Sequence, residues 1–422
     1  MLDIRWLREH PDEAAERLTS RGRSVPLQEV LDLDREHRGL LAEIEARRAA
    51  HNHLSQEING RIKAGAPAGD LPHRAREVAE MLAALEPRLR DAEARLRDLL
   101  LALPNLPHPG VPAGTDQTDH RIVRASGEQV RPPWAQPHWE IAQALDLLDP
   151  PRATAIAGSR FPLLKGEGAR LQRALSHFML DLATERGFTE IAPPLLATGE
   201  ALLASGHLPK FEEALFQTRE GLSLIPTAEV PLVNLHRDEV LEGETLPRRY
   251  AALTPCFRKE AGAPGRETRG LIRVHQFEKV ELVSFTRPED SDAELERLVA
   301  AAETVASTLR LPYRVVELCA GELGFTARRT YDLEVWCPGL GRYLEVSSCS
   351  DCGDFQARRC ATRYRDGSGR PRFVHTLNAS ALAAGRTLAA LLENGLQEDG
   401  SVVLPSALRP YFGGKDRIAR ER

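Results

Sequence analysis

"RVHQFEKVEL", residues 273 to 282, decides how the larger part of the chain is read. Under the two-residue period of a β-strand, one face carries Arg273, His275, Phe277, Lys279 and Glu281, and the other Val274, Gln276, Glu278, Val280 and Leu282. A face with a single aromatic ring among charged and polar side chains is a poor seal for an apolar core. It suits a ligand that carries charge and a flat ring.

The flanking sequence extends this reading. "TPCFRKEAGAPGRETRGLIRVHQF" reads as strand, loop, strand: Arg258 and Glu260 close the first strand, Gly262 and Gly265 loosen the loop, and Arg273 opens the second. The planar fork of arginine donates two parallel charge-assisted bonds, so arginines converging from paired strands can hold a polyphosphate without a helix terminus. No Walker loop or GxGxxG follows a strand. Phe277 offers a ring for a base, an interaction worth about 1–3 kcal/mol, or else is core. Glu281 serves a substrate ammonium or a metal on one reading and an ion pair with Lys279 on the other.

Strand-like segments recur at 188–192, 222–226, 249–257, 271–285, 313–319, 330–336 and 342–348, several joined by short loops, with helix-like segments at 169–186 and 289–309. This pattern predicts an α+β body, an antiparallel sheet with helices packed on it. In "YLEVSSCSDCGDFQARR", Glu345, Ser347 and Ser348 end a strand with the oxygen donors that magnesium prefers when it also holds phosphates. Cys349 and Cys352 form one CxxC, with Cys337 and Cys360 nearby; a structural zinc site wants a second spaced pair, so half-buried cysteines and no zinc are expected. In "HTLNASALAAGRTLAALLENG", Asn378 and Ser380 precede a helix that carries Arg386 on its first turns.

Towards the N-terminus the period changes. Val78, Leu82, Leu85, Leu89, Ala92, Leu96, Leu99 and Leu103 follow a strict heptad spacing, and Leu33, His37, Leu40, Ile44, Arg47, His51, Leu54 and Ile58 repeat it less cleanly. "AGAPAGDLP" between them breaks the helix, which predicts an antiparallel helical hairpin, a coiled-coil arm over about 27–101. Arg61, Lys63, His73, Arg74 and Arg76 make its tip basic. The Pro-rich stretch 104–137 reads as a linker, dividing an N-terminal domain (1–103) from a C-terminal one (138–422).

With 42% hydrophobic and 28% charged residues, a chain of 422 residues is an ordinary globular protein of two or three domains. A net charge of −5 excludes bulk attraction to nucleic acid, so any RNA contact is local. The first residues lack the apolar core of a secretory signal, and no run of about 18 apolar residues occurs; a cytoplasmic protein without membrane contact is expected.

These segments together resemble the bacterial seryl-tRNA synthetases, a class II aminoacyl-tRNA synthetase family, over essentially the whole chain. "GEGARLQRALSHFMLDLATERGFTEIAPPLL", "FRKEAGAPGRETRGLIRVHQFEKVE" and "ALAAGRTLAALLEN" resemble class II motifs 1, 2 and 3; "PTAEVPL", "YLEVSSCSDCGDFQARR" and "HTLNASALA" resemble segments distinctive of the seryl enzymes. The resemblance implies a catalytic set of Arg258, Glu260 and Arg386. It implies an ATP site from Arg258, Lys259, Glu260, Arg273, Val274, Phe277, Glu345, Val346, Ser347, Ser348 and Arg386. Serine would meet Thr227, Ala228, Glu229, Arg258, Glu281, Asn378 and Ser380, and Glu345 and Ser348 would hold Mg²⁺ with ATP. Implied partners are ATP, L-serine, serine tRNA, in some organisms selenocysteine tRNA, and a second copy of the chain as a homodimer.

Two other readings use the same fold. A paralogue that loads an amino acid onto a carrier protein would be expected to lack the arm. A non-catalytic RNA-binding protein would be expected to have lost Arg258, Glu281 or Arg386. The sequence has all four features.

Overall fold

The heptad-patterned segment forms two long helices, α1 (Leu27–Lys63) and α2 (Leu71–Ala102), in a computed structural model that describes residues 1–22, 24–260 and 269–420. The seam residues Leu33, Leu40, Ile44 and Leu54 of α1 are buried, as are Ala75, Leu85, Ala92 and Leu96 of α2. His37, Arg47 and His51 keep their seam register but stay half-buried. They bury their stems and leave polar atoms near water. At mid-length Arg47 reaches the Met81 sulfur and Arg48 pairs with Glu86 at 3.0 Å. Near the turn Leu54, Leu71 and Ala75 form a small apolar cluster with Ile58 and Val78. Gly65 and Gly69, at φ +66° and +58°, take the left-handed conformations that reverse the chain. The basic residues expected at the tip are exposed there, Arg61 paired with Glu57 and His73 facing Glu77.

This hairpin belongs to one of two compact units, built from Leu2–Thr19 and Ser24–Pro104; the other is built mainly from Asn105–Arg422. The second unit is organised by an eight-stranded sheet. Its strands are β1 (Arg121–Ser126), β2 (Thr189–Glu190), β3 (Arg248–Phe257), β4 (Gln276–Thr286), β5 (Tyr313–Glu317), β6 (Arg329–Cys337), β7 (Arg342–Asp351) and β8 (His375–Ala383). Their order is β1-β5-β6-β7-β8-β4-β3-β2. Every neighbouring pair is antiparallel except β2 with β3.

Five helices matter for the site: α3 (Glu167–Glu185), the short α4 (Glu229–Val233), α5 (Ser291–Thr308), the short α6 (Phe355–Cys360) and α7 (Ala384–Gly395). Strand alternation distributes them. Ala251, Val280 and Leu282 face one apolar cluster with α3, α5 and α7, whereas Ala252, Val283 and Phe285 face a second with α4 and α6. The sheet is therefore buried on both faces along much of its length, and the polar residues of β4 occur where the second covering layer stops.

The structure departs from the sequence reading in three places. The strand expected from 271 begins at Gln276, so Arg273, Val274 and His275 precede it. Backbone groups of the segment 271–275 are bonded elsewhere: His275 N–H donates to the Arg160 carbonyl (2.9 Å), the Ile272 carbonyl accepts from Arg386 (3.1 Å), and Leu271 N–H donates to His138 Nε2 (3.1 Å). Gly270 (φ +64°) makes this approach possible, because a Cβ there would lie 2.2 Å from His138 Nε2. The second departure is β8, a strand absent from the sequence reading, which carries Asn378 and Ser380 ahead of the helix they were expected to precede. Its Asn-Ala-Ser-Ala run has little intrinsic strand preference; pairing with β7 and β4 supplies the order. Third, the Pro-rich stretch read as a linker contributes edge strand β1. Gly262 and Gly265 lie outside the described residues.

Candidate active site

On the polar face of β4 a cavity of about 640 Å³ is lined by Phe277, Lys279 and Glu281, by the preceding Arg273 and Val274, and by Arg258 and Glu260 at the end of β3. Directly paired residues share a sheet face. Cys256 opposes Phe277, and both Ala252 and Ser380 oppose Glu281, so β3, β4 and β8 align one row across the floor. The cavity also meets Thr227, Glu229, Glu345, Val346, Ser348, Asn378 and Arg386. Most of the residues expected in two binding subsites thus share one space.

Three expected residues do not line it. Lys259 is exposed, its ammonium 5.8 Å from the Phe216 ring centre, and Ala228 is buried in the apolar cluster beneath α4. Ser347 is turned away, its hydroxyl donating to the Ser380 carbonyl at 2.5 Å. A bulge between Glu345 and Ser347 explains this: Glu345 pairs with Glu334 and Ser348 with Asp332, so residues three apart reach the same face. Plain alternation would have put Glu345 with Ser347.

The charges are mostly paired. Arg273 bonds Glu260 at 2.5 Å, Lys279 contacts Glu281, and Arg386 contacts Glu345 at 3.2 Å while donating to its carbonyl at 2.9 Å. Glu281 thus has Lys279 as its ion-pair partner, and its carboxylate also faces the cavity. Arg258 differs: its Nε donates to the Pro226 carbonyl at 3.1 Å, its guanidinium lies 5.2 Å from the Phe277 ring centre, and it has no carboxylate partner among the described residues. A cation so placed is completed by an anionic ligand. His275, which had no assigned role, bonds the Arg258 carbonyl through Nδ1 at 2.9 Å and so fixes the end of β3.

At the other end, Thr227 donates to Glu281 Oε2 at 2.8 Å, and Glu229 Oε1 accepts from Gln356 at 2.6 Å and Asn378 at 3.1 Å. Burial, with the Glu281 charge nearby, pushes the Glu229 carboxyl up to about 7. Burial and the neighbouring Arg258 and Lys279 bring His207, also on the cavity wall, down to about 3, so its ring is neutral. Sequence reasoning missed His207 and Asp332. Asp332 hydrogen-bonds Ser348 and leaves Oδ1 buried without a donor among the described residues; burial and the nearby Glu345 raise its carboxyl well above the usual range. No sequence spacing links it to Ser348; only the register of β6 with β7 does.

Glu345, Ser348 and Asp332 offer only hard oxygen donors, which fits magnesium held jointly with phosphate rather than zinc. Among the described residues no group of three or more His, Cys, Asp or Glu side chains could hold a metal ion by itself. All six cysteines are unbridged and buried, and burial raises the Cys349 and Cys360 thiols to about 12.

A sheet of this topology with arginines at its polar end is that of a class II aminoacyl-tRNA synthetase: residues 210–395 match the family model described as the tRNA synthetase class II core domain (G, H, P, S and T). Residues 1–107 match the seryl-tRNA synthetase N-terminal domain. Serine--tRNA ligase from Syntrophotalea carbinolica is 51% identical over 99% of this chain and 100% of its own. Seryl-tRNA synthetase from Pyrococcus horikoshii, solved with ATP, superposes over 100% of both chains with a TM-score of 0.94 at 37% identity. The cytoplasmic Naegleria fowleri enzyme, solved with AMP, gives 0.90 at 29% identity over 100% of this chain and 99% of its own. The chain belongs to the seryl-tRNA synthetase family.

Proposed function

We propose that the chain activates L-serine with ATP and transfers it to serine tRNA. The observation that carries this reading is the position of Arg258. It touches Phe277 on one side and the carbonyl preceding Thr227 on the other, with no carboxylate of its own among the described residues. A guanidinium there can meet the serine carboxylate and the α-phosphate together.

In the first step a serine carboxylate oxygen attacks the α-phosphorus and pyrophosphate leaves. Both reactants are anionic, so alignment and charge neutralisation supply the catalysis and no protein nucleophile is needed. Arg258 does this at the reacting centre, Arg273 meets the terminal phosphate, and Phe277 and Arg386 sandwich adenine. Glu345 and Ser348 would hold Mg²⁺, which supplies charge neutralisation on the phosphates when bound. Their present pairs, Arg386 with Glu345 and Arg273 with Glu260, exchange partners when the nucleotide enters. In the second step the terminal ribose hydroxyl of the tRNA attacks the acyl carbon and AMP leaves.

Thr227, Glu229, Glu281, Asn378 and Ser380 form the amino-acid pocket. Alanine would leave hydroxyl-binding groups unpaired, a penalty that yields discrimination of about 10⁴–10⁵ in a site built to bond a hydroxyl. Threonine is excluded by size. The arm binds the RNA, serine tRNA and selenocysteine tRNA where the organism has one, and a second copy of the chain completes a cytoplasmic homodimer. No helix among the described residues is long and apolar enough to cross a membrane. ATP–pyrophosphate exchange across all amino acids tests the reading: exchange with serine alone is expected, and none with serine and magnesium would overturn it.

A further inference from the structure

Gln356, on α6, belongs to neither expected subsite and is wholly buried. Its Nε2 donates to the Ser205 carbonyl at 3.0 Å and to Glu229 Oε1 at 2.6 Å, while its Oε1 accepts from the Thr376 hydroxyl at 2.7 Å. The Ser205 carbonyl can only accept, so the amide has one orientation, with both N–H bonds spent. A buried polar side chain this fully committed locks whatever it touches.

What it touches is one edge of a cavity carboxyl. Glu229 Oε1 takes the Gln356 bond and a second from Asn378 at 3.1 Å, and among the described residues Oε2 takes none. The Glu229 amide N–H meanwhile donates to Thr227 Oγ1 at 3.2 Å, whose own proton goes to Glu281 Oε2 at 2.8 Å. Lys279 also binds that Oε2, so Glu281 Oε1 is likewise without a bond among the described residues. Each carboxyl has one oxygen held by the protein and one left for a ligand. For Glu229 the holder reaches in from beyond the cavity lining, since Gln356 does not line it.

We infer that Gln356 is a positioning residue that determines amino-acid specificity. By holding Glu229 Oε1 it leaves a single carboxyl edge, Oε2, to read the hydroxyl of the amino-acid ligand. This rests on the assignment of Glu229 to the serine pocket. Without Gln356 only the longer Asn378 bond (3.1 Å) holds Oε1, the carboxyl turns more freely about its last torsion, a broad and roughly two-fold well, and the hydroxyl is no longer met at a fixed angle. Alanine, which has no hydroxyl, loses nothing by that rotation. The selectivity between the two amino acids therefore falls, whereas the nucleotide side is untouched.

The test is amino-acid activation by Gln356→Met, of similar length but without the amide. The expected result is a KM for serine at least tenfold higher, with kcat and the KM for ATP within twofold of the parent. The serine-to-alanine selectivity should fall by the same tenfold. A second pair guards against a folding defect: Thr376→Val removes the donor that anchors the amide oxygen, and Thr376→Ser keeps it. Thr376→Val should lower selectivity severalfold and Thr376→Ser should restore it. Unchanged selectivity in a folded Gln356→Met, or equal rises in both KM values, would overturn the inference; if that variant does not fold, parental selectivity in Thr376→Val does so. Failure of the unmodified enzyme to activate serine would instead overturn the functional reading.

Discussion

Replacing Glu229 by Gln should make the stability of the catalytic unit less dependent on pH. The carboxyl stands at about 7 instead of its ordinary 4.5, chiefly because burial disfavours its charge and secondly because Glu281 repels it. A folded value above the unfolded one means that the folded state keeps its proton longer. Stability therefore falls as pH climbs from 4.5 through 7 and is flat on either side of that window. At 1.36 kcal/mol per pH unit the full loss is about 3 kcal/mol. For a unit of roughly 320 residues, with an unfolding entropy of about 2.1 cal/mol/K per residue, that is about 4–5 °C in Tm. Glutamine keeps an acceptor oxygen for Gln356 and Asn378 but cannot ionise. Melting curves of parent and variant at pH 5, 6, 7 and 8 should diverge from pH 5 to 7 and level off above it, the variant gaining about 4 °C relative to the parent between pH 5 and 8. Parallel curves across that range would refute the assignment of a displaced proton to Glu229.

Arg258→Ala should preserve the fold, since the side chain is half-buried, yet lower serine-dependent pyrophosphate exchange by about 10²–10³-fold or more, as loss of a preorganised charge at the reacting centre does. Chelating divalent ions should abolish exchange, and Glu345→Gln should raise the magnesium concentration needed to restore both exchange and ATP binding measured by calorimetry. His138→Ala strips partners from the Leu271 N–H and from Glu393, which His138 bonds at 3.0 Å; urea denaturation should show a loss of about 2–4 kcal/mol. Removing the arm over 27–101 should abolish tRNA charging and spare pyrophosphate exchange, read by the two assays side by side.

Local periodicity was enough for the arm and most of the sheet. The heptad register of α1 and α2 was legible even where the seam is polar, because Leu40, Ile44 and Leu54 keep the spacing on either side of Arg47 and His51. The alternation of β4 exposed Phe277, Lys279 and Glu281 as cavity residues. It could not place Arg273, which lies before the strand, nor decide between Ser347 and Ser348, because a bulge has no composition of its own. β8 was missed because a central strand held by both neighbours can be built from small residues that signal nothing locally. Asp332 and Gln356 act through partners far along the chain, so only register and packing bring them to the site.

The uneven seam of the arm has a mechanical meaning. Apolar contacts gather at its base, through Leu33, Leu40, Ile44, Leu85, Ala92 and Leu96, and again beside the turn, through Leu54, Leu71 and Ala75. The span between them is bridged by Arg47, Arg48, Met81 and Glu86, contacts that water can replace at little cost. Stiffness is thus lowest at mid-length, so bending concentrates there and the closed end swings as one finger on a compliant shaft. Its basic surface then samples an arc without the two helices parting.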